Sequence, residues 1–230
     1  MTTAHARPGA AEFLARNGGG GLFTRLVNQR IGSYLCVPAF RLGLAPTVLT
    51  VTNLVLGSAG SVLLLVQGPA SAGYAWLLWQ LAYSFDCADG QLARVTGRTG
   101  PAGARVDVLC DAAVQISLVV AVSSVVSTVS PDAPDWLAPA FAGVWIANML
   151  APQSYVRGSA EGSLFGHEEN PLARLGGLLT DYGSVVTVFG FVLAVEPKWT
   201  VALIQVFVTV HCVLLLVRIA VAASASMSHR

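Results

Sequence analysis

Four aspartates and an arginine lie close together in a chain that is otherwise strongly apolar. They occupy residues 86–111, which read DCADGQLARVTGRTGPAGARVDVLCD. The chain has only 12 acidic residues, and four of them are in this stretch. Charged side chains at membrane depth cost enough free energy that they mark functional sites by default. Any chemistry that this protein performs is therefore sought here first.

The spacing of the aspartates predicts that they meet. Asp86 and Asp89 are three residues apart and Asp107 and Asp111 are four apart, so each pair shares one face of a helix. Residues 97–101 are rich in glycine and proline and predict a tight turn that makes the two helices antiparallel neighbours. We therefore expect the four carboxylates to form one cluster at one membrane boundary.

Four carboxylates cannot remain close together without compensation. Either some of them are protonated or a divalent cation holds them, and oxygen ligands without His or Cys suit Mg²⁺ or Mn²⁺. Mg²⁺ prefers a few carboxylates together with phosphate oxygens of a substrate. Two ions about 3.5 to 4 Å apart can clamp the oxygens of a phosphoryl displacement. The cluster thus predicts a metal site, of two ions, that acts on a phosphate-bearing substrate.

Small residues follow the first two aspartates. Gly90, Ala93 and Gly97 lie on one helix face, where a flat ring or a phosphate can approach the backbone, and Gly103 can do the same across the turn. Close packing of helices is the alternative explanation for such a strip. Arg94 lies beside it and can bind a diphosphate that the carboxylates would otherwise repel, or it can form a structural ion pair with one of them.

Composition places these residues in an all-α integral membrane protein. The chain is 54% hydrophobic and 11% charged, with mean hydropathy +0.66, far from the roughly 25% charged residues of soluble domains. A net charge of +1 argues against a nucleic-acid-binding protein, which needs a basic face to neutralise phosphates. Membrane lipids are the expected surroundings, and nucleic acid is not an expected partner.

The apolar stretches predict six transmembrane helices and four regions along the chain. A spanning helix needs ~20 mostly apolar residues. We place such helices at 45–67, 71–95, 104–129, 136–155, 172–195 and 199–221. Residues 1–20 are expected to be a flexible tail. Residues 21–43 are expected to hold an amphipathic interfacial helix that ends near Pro38, with Arg25, Asn28, Gln29 and Arg30 on its polar side. Residues 44–222 are expected to form a six-helix transmembrane catalytic domain, and residues 223–230 a cytoplasmic tail.

The basic residues predict the orientation in the membrane. All the arginines fall on the side of the two termini if there are six spans, and only Lys198 falls on the other side. These arginines are Arg7, Arg16, Arg25, Arg30, Arg41, Arg94, Arg98, Arg105, Arg157, Arg174, Arg218 and Arg230. Because cytoplasmic loops are enriched in Lys and Arg, we expect both termini and the aspartates on the cytoplasmic side.

The stretch at 86–111 resembles the signature of the CDP-alcohol phosphotransferase (CDP-alcohol phosphatidyltransferase) family. It matches D-x-x-D-G-x-x-A-R, eight residues, then G-x-x-x-D-x-x-x-D at every fixed position. The resemblance implies transfer of a substituted phosphate from a CDP-linked donor to an alcohol, with release of CMP and with a divalent metal. By position, Asp86, Asp89, Asp107 and Asp111 would ligate the metal, and Asp111 would also be the general base. Gly90, Ala93, Arg94 and Gly103 would form the cytidine and diphosphate site, and a homodimer is expected.

Outside this signature the sequence is less specific. Members of the family often carry Pro-Asn at the start of the first span, whereas this chain has Pro46-Thr47, so an amide contact there is absent or replaced by a hydroxyl. Arg157, His167, Arg174 and Arg218 are the cations available for an acceptor, although arginines are expected at cytoplasmic helix ends anyway. Asp181 is expected to cap a helix or to contact substrate, and His211 to pack or to form a hydrogen bond.

Three functions compete on this basis. The leading hypothesis is a bacterial plasma-membrane enzyme of phospholipid biosynthesis that moves a phosphatidyl group from CDP-diacylglycerol to a polar alcohol. The first alternative uses a CDP-alcohol with a soluble head group and a lipid acceptor. The second alternative, from another class, is a small cation transporter that uses the acidic cluster as an ion site.

Overall fold

The computed structural model describes residues 8–17, 19–155 and 179–228, and within them every regular element is a helix. Apolar runs without alternation favour helices, which satisfy their own backbone groups in a membrane. In chain order the α-helices are α1 (Ala10–Ala15), α2 (Leu22–Leu26), α3 (Asn28–Arg41), α4 (Pro46–Gln67), α5 (Ala72–Thr96), α6 (Pro101–Val129), α7 (Leu137–Tyr155), α8 (Tyr182–Val195) and α9 (Thr200–Ser228). Two 3₁₀ turns, Gly68–Ser71 and Pro197–Trp199, join α4 to α5 and α8 to α9.

Three stretches of the described residues are long and apolar enough to cross a membrane. They are Pro46–Thr96, which contains both α4 and α5, Pro101–Val129 and Pro197–Ala220. The apolar helices Leu137–Met149 and Tyr182–Val195 are shorter than that. Helices are present in all six predicted regions, but residues 172–178 of the fifth lie outside the described chain. The membrane-protein class is therefore confirmed, whereas the count of six spans stays a prediction.

Helix α4 holds α5 and α6 in place, because it packs along both of them. A Cβ on Gly57 would lie 2.5 Å from the Cγ1 atom of Val114 on α6, and one on Gly60 would lie 3.0 Å from the carbonyl oxygen of Ala75 on α5. Only glycine permits this close approach of the helix axes. Helix α4 runs antiparallel to α5 and parallel to α6. The C-terminal end of α5 therefore lies at the same level as the N-terminal end of α6.

The connection between α5 and α6 is the tight turn that the sequence predicted. Gly97 ends α5 in the left-handed conformation, with φ of 67°, which costs glycine little and other residues more. Gly100 is extended and precedes Pro101, the first residue of α6, a position where proline loses no helical hydrogen bond. Helix α6 therefore begins three residues before the predicted residue 104.

The other half of the described chain is built around aromatic rings. Phe141 and Trp145 of α7 pack against Phe189 of α8 and Phe207 of α9, with ring centroids 5.3 to 6.2 Å apart. Edge-to-face and stacked pairs at such distances add to the free energy gained by burial. The aromatic cluster holds α7, α8 and α9 together beside α6.

The predicted interfacial helix differs from the structure in two ways. It is divided into α2 and α3 at Val27, and α3 continues past Pro38 to Arg41. A proline inside a helix removes one hydrogen bond and introduces a bulky ring. Pro38 lies on the exposed side of α3, so its ring does not disturb the packing of α3 against α5. The prediction that the helix ends near Pro38 is therefore wrong.

The predicted polar side of this segment is divided, because Arg25 and Arg30 are exposed whereas its two amide residues face the protein. Asn28 and Gln29, which the sequence suggested for the outer polar side, are buried, whereas Leu26 and Ile31 are exposed. The Asn28 Nδ2 donates to Oε1 of Gln80 on α5 at 3.0 Å. Amide groups need hydrogen-bond partners when they leave water, while apolar side chains can face lipid without loss. A position of α2 and α3 at the membrane interface stays a prediction.

Part of the predicted flexible tail forms a docked helix. Phe13 of α1 is completely buried, and its ring meets Phe40 of α3 edge to face at 6.1 Å. The alanines around it in the sequence AAEFLA are strong helix formers. The aromatic anchor, rather than length, explains why so short a helix is ordered.

Candidate active site

The structure brings the predicted aspartates together at the junction of α5 and α6. One carboxylate oxygen from each of Asp86, Asp89 and Asp107 lies within 4.8 Å of the others. Asp89 is only 6% exposed, and the other two are partly buried. The three side chains converge from two helices, so the site depends on how α4 aligns those helices.

Asp111 joins this group through Asp86. The carboxyl groups of Asp86 and Asp111 lie within hydrogen-bonding reach of each other, as do those of Asp89 and Asp107. Like charges at such distances repel strongly in a partly desolvated site. All four aspartates therefore form one cluster, whose negative charge must be reduced by bound protons or offset by a cation.

The cluster fits a divalent cation. The Oδ1 atom of Asp107 is buried and has no hydrogen-bond partner, and buried carboxylate oxygens without partners are costly. Carboxylate oxygens from three side chains are hard ligands of the kind that Mg²⁺ and Mn²⁺ prefer. Asp86, Asp89 and Asp107 can hold such an ion, with Asp111 beside it.

Helix α4 supplies two polar groups that the sequence analysis did not identify. The hydroxyl of Thr50 donates to Oδ2 of Asp89 at 2.5 Å, and the Nδ2 of Asn53 donates to Oδ1 of Asp111 at 3.0 Å. Thr50 and Asn53 share a face with Gly57, and this polar and small stripe on an apolar helix was the signal that could have revealed them.

Asn53 should matter for turnover because it orients the Asp111 carboxylate. We expect Asn53→Ala to lower kcat by roughly 10- to 100-fold, since hydrogen bonds to charged groups contribute about 1.5 to 3 kcal/mol. CMP release measured at saturating donor and acceptor checks this. Thr52→Ala is the matched control, because the Thr52 hydroxyl donates only to Val48 of its own helix. Equal turnover of Asn53→Ala and Thr52→Ala would contradict an orienting role.

Gly90 and Arg94 lie together beside the aspartates, as the sequence suggested. A Cβ on Gly90 would lie 3.1 and 3.2 Å from the Nη1 and Nη2 atoms of Arg94, so the guanidinium lies over the glycine. The Nε of Arg94 donates to the backbone carbonyl of Arg16. Ala93 is partly buried one turn from Asp89, and Gly103 is exposed with open space around its α-carbon.

Two cavities open beside Asp111 on the side away from Arg94. One of about 230 Å³ is lined by Asn53, Asp86, Asp111 and Gln115, together with Tyr83, Val114 and Tyr182. A second, of about 350 Å³, also contains Asp111 and Gln115 and extends to Trp145, Asn148 and His211. The carboxylate of Asp111 therefore faces space that can hold a second substrate, with polar groups at its edge and aromatic walls.

The structure places the residues that the sequence suggested for acceptor binding in different surroundings. Arg157, His167 and Arg174 lie outside the described residues, and Arg218 is not part of either cavity lining. Asp181 caps α8 by accepting from the backbone N–H of Gly183 at 3.2 Å, and it also accepts from the N–H of Thr24 at 2.9 Å. His211 stacks on Phe207 and hydrogen-bonds its carbonyl at 3.0 Å. Capping by Asp181 and packing by His211 are confirmed, and His211 additionally lines the larger cavity.

Comparison with known proteins identifies the family of this chain. The model of the CDP-alcohol phosphatidyltransferase family matches residues 43–211, most of the chain and all of the aspartate cluster. No curated protein matches the chain significantly. Members of this family transfer a substituted phosphate from a CDP-linked alcohol to an acceptor alcohol with the help of a divalent metal, and the three clustered carboxylates suit that metal. The protein is therefore an integral membrane member of the CDP-alcohol phosphatidyltransferase family.

Proposed function

We propose that this protein transfers the phosphatidyl group of CDP-diacylglycerol to a polar alcohol and releases CMP, as a step of phospholipid biosynthesis. The observation that carries this proposal is the position of the cluster, at the junction of two helices from membrane-crossing stretches. A lipid-linked donor can keep its acyl chains in the bilayer while its diphosphate reaches the carboxylates. A polar acceptor can reach Asp111 through the cavities that open beside this residue.

In the proposed reaction the acceptor hydroxyl attacks the lipid-bearing phosphorus of the donor. A new oxygen–phosphorus bond forms, the phosphoanhydride bond to CMP breaks, and CMP leaves with the bridging oxygen. Asp111 takes the proton of the attacking hydroxyl, for which it must come within roughly 2.6 to 3.2 Å of that oxygen. Asn53 orients the base through its 3.0 Å hydrogen bond.

The donor would be held by groups on α5 and at the start of α6. Asp86, Asp89, Asp107 and Asp111 would hold one or two Mg²⁺ or Mn²⁺ ions, which when bound supply positive charge for the diphosphate. Gly90 leaves room for the guanidinium of Arg94, which lies over it. Ala93 beside it, and Gly103 across the turn, would leave room for the cytidine. Arg94 would bind the diphosphate through its Nη groups.

The acceptor is proposed to occupy the cavities next to Asp111. Gln115 accepts a hydrogen bond from the indole N–H of Trp145 at 2.9 Å, which leaves its own amide N–H groups available to an acceptor hydroxyl. Asn148 and His211 add polar atoms further along the larger cavity. A small alcohol with several hydroxyl groups fits this combination of amide donors and aromatic walls.

Release of CMP tests the proposal. Purified protein with Mg²⁺ is given CDP-diacylglycerol and a panel of alcohols that includes inositol, glycerol and serine with the phosphorylated forms of the first two. We expect CMP release from CDP-diacylglycerol that requires one of these alcohols and produces the matching phospholipid. Release only from a CDP-alcohol with a soluble head group, in the presence of diacylglycerol, would favour the first alternative instead.

Family membership favours a transferase over the cation transporter. A flux measurement on the same purified protein tests the transporter hypothesis directly. Reconstituted vesicles would show metal-dependent ion flux without CMP release if the aspartates served transport. We further propose a homodimer, a bacterial plasma membrane location, and both termini with the active site on the cytoplasmic side. The arginine distribution supports this orientation.

A further inference from the structure

An N-terminal arm, residues 10–17, is docked next to the proposed donor site although it precedes the region that matches the family. The family model begins at residue 43, so membership does not explain what the arm does. Its helix α1 packs on α3 and α5 through Phe13, which belongs to a buried apolar cluster with Cys36, Ala88 and Leu92. The arm is thus held by packing on the C-terminal end of α5, where Asp89 and Arg94 lie.

Past α1 the arm makes two polar contacts with α5, three residues apart. The Nε of Arg94 donates to the carbonyl oxygen of Arg16, and the Nε2 of Gln91 donates to the Oδ1 of Asn17 at 2.7 Å. Gln91 is completely buried and also donates to the carbonyl of Gln29 on α3 at 2.9 Å. The position of the Arg16 carbonyl is therefore determined by a buried amide on one side and by Phe13 on the other.

The contact with Arg16 restricts the conformation of Arg94. An exposed arginine side chain samples many rotamers and loses about 2 kcal/mol of conformational entropy when it is held in one. Because Nε is engaged by the arm, the guanidinium is oriented with Nη1 and Nη2 over Gly90. Those two groups are the ones that bind a phosphate in a bidentate manner. Part of the entropic cost of binding is then met before the ligand arrives.

We propose that the N-terminal arm is a positioning element of the donor site, which holds Arg94 in the orientation that binds the diphosphate of a CDP-linked donor. This inference rests on the proposed role of Arg94. The arm acts on binding of the diphosphate and not on the attacking hydroxyl, because Asp111 and its cavities lie on the other side of the cluster.

Two substitutions release the arm to different extents. Phe13→Ala removes the anchor of α1, and Asn17→Ala removes only the hydrogen bond to Gln91. Tyr34→Ala is the control, because Tyr34 is an aromatic residue of α3 that is 71% exposed. The full-length protein with Mg²⁺ is titrated with CDP, which carries the cytidine and the diphosphate without lipid. Thermal unfolding verifies that each variant is folded.

We expect both arm variants to weaken CDP binding about two- to tenfold, the range for loss of a hydrogen bond, with kcat changed less than twofold. Tyr34→Ala should bind CDP as the wild type does. In the Arg94→Ala background, Phe13→Ala should weaken CDP binding no further, because the residue through which it acts is already absent.

Two results would overturn the inference alone. In the first, Phe13→Ala and Asn17→Ala bind CDP as the wild type does, while Arg94→Ala binds it weakly. In the second, Phe13→Ala weakens CDP binding by the same factor whether or not Arg94 is present. A different result, wild-type CDP affinity in Arg94→Ala, would overturn the donor-site role of Arg94 in the proposed function and the inference with it.

Discussion

Asp111→Asn is expected to reduce CMP release by roughly 10²- to 10⁴-fold or more, the contribution typical of a general base. The amide cannot accept the proton of the attacking hydroxyl, yet it has almost the same shape as the carboxylate. The variant should therefore insert into membranes, and it should keep CDP binding because Asp86, Asp89 and Asp107 still form the cluster that can hold the metal. Single-turnover measurements with CDP-diacylglycerol and the preferred alcohol separate this loss in the chemical step from any loss in binding.

Asp135→Asn is the control for this experiment. Asp135 is exposed in the short connection between α6 and α7, away from the cluster, and its substitution should leave turnover unchanged. Near-normal CMP release by Asp111→Asn would exclude Asp111 as the base. Loss of CDP binding in the same variant would instead indicate that its main contribution is to the metal.

Removal of the metal is expected to abolish turnover and to lower stability. A chelator should stop CMP release, and readdition of Mg²⁺ or Mn²⁺ should restore it. An ion at about 100 times its Kd stabilises the folded state by ~2.7 kcal/mol. For a chain of this size that corresponds to a rise in Tm of several degrees. Thermal unfolding in detergent, with and without Mg²⁺, measures this shift.

Asp107→Asn should remove the effect of the metal on stability. The substitution deletes one ligand atom and one negative charge, so the metal-free variant should be at least as stable as the metal-free wild type, because repulsion within the cluster falls. Asp132→Asn, at an exposed position between α6 and α7, should keep the full response to Mg²⁺. Equal stabilisation of Asp107→Asn and the wild type by Mg²⁺ would show that the ion binds elsewhere.

The orientation of α3 illustrates where sequence reasoning fails in a membrane protein. Apolar residues at helical spacing predict a face that packs inward when water surrounds the protein. Here Asn28 and Gln29 are buried and Ile31 is exposed. Amide side chains that are buried need hydrogen-bond partners, and Asn28 finds one in Gln80 of α5. Periodicity therefore identified the helix and the exposed positions of Arg25 and Arg30, but it did not reveal that Asn28 and Gln29 are buried.

The same limit explains why Thr50 and Asn53 were not identified. Both are ordinary residues of an apolar helix, and their importance comes from partners 39 and 58 residues away. Pairing over such distances depends on how α4 packs between α5 and α6, which the glycines on α4 permit. A polar stripe on α4 was visible, but nothing in its spacing indicated which helix it would face.

By itself the sequence determined the class of protein, the family and the residues of the aspartate cluster. These follow from composition and from one continuous stretch, where helical periodicity and a turn bring the side chains together over short distances along the chain. Only the tertiary structure showed that Asn53 hydrogen-bonds to Asp111, that the cavities extend towards α7 and α9, and that the N-terminal arm contacts Arg94. Each of these features joins segments far apart in the chain, and the contacts depend on helix packing that local spacing does not encode.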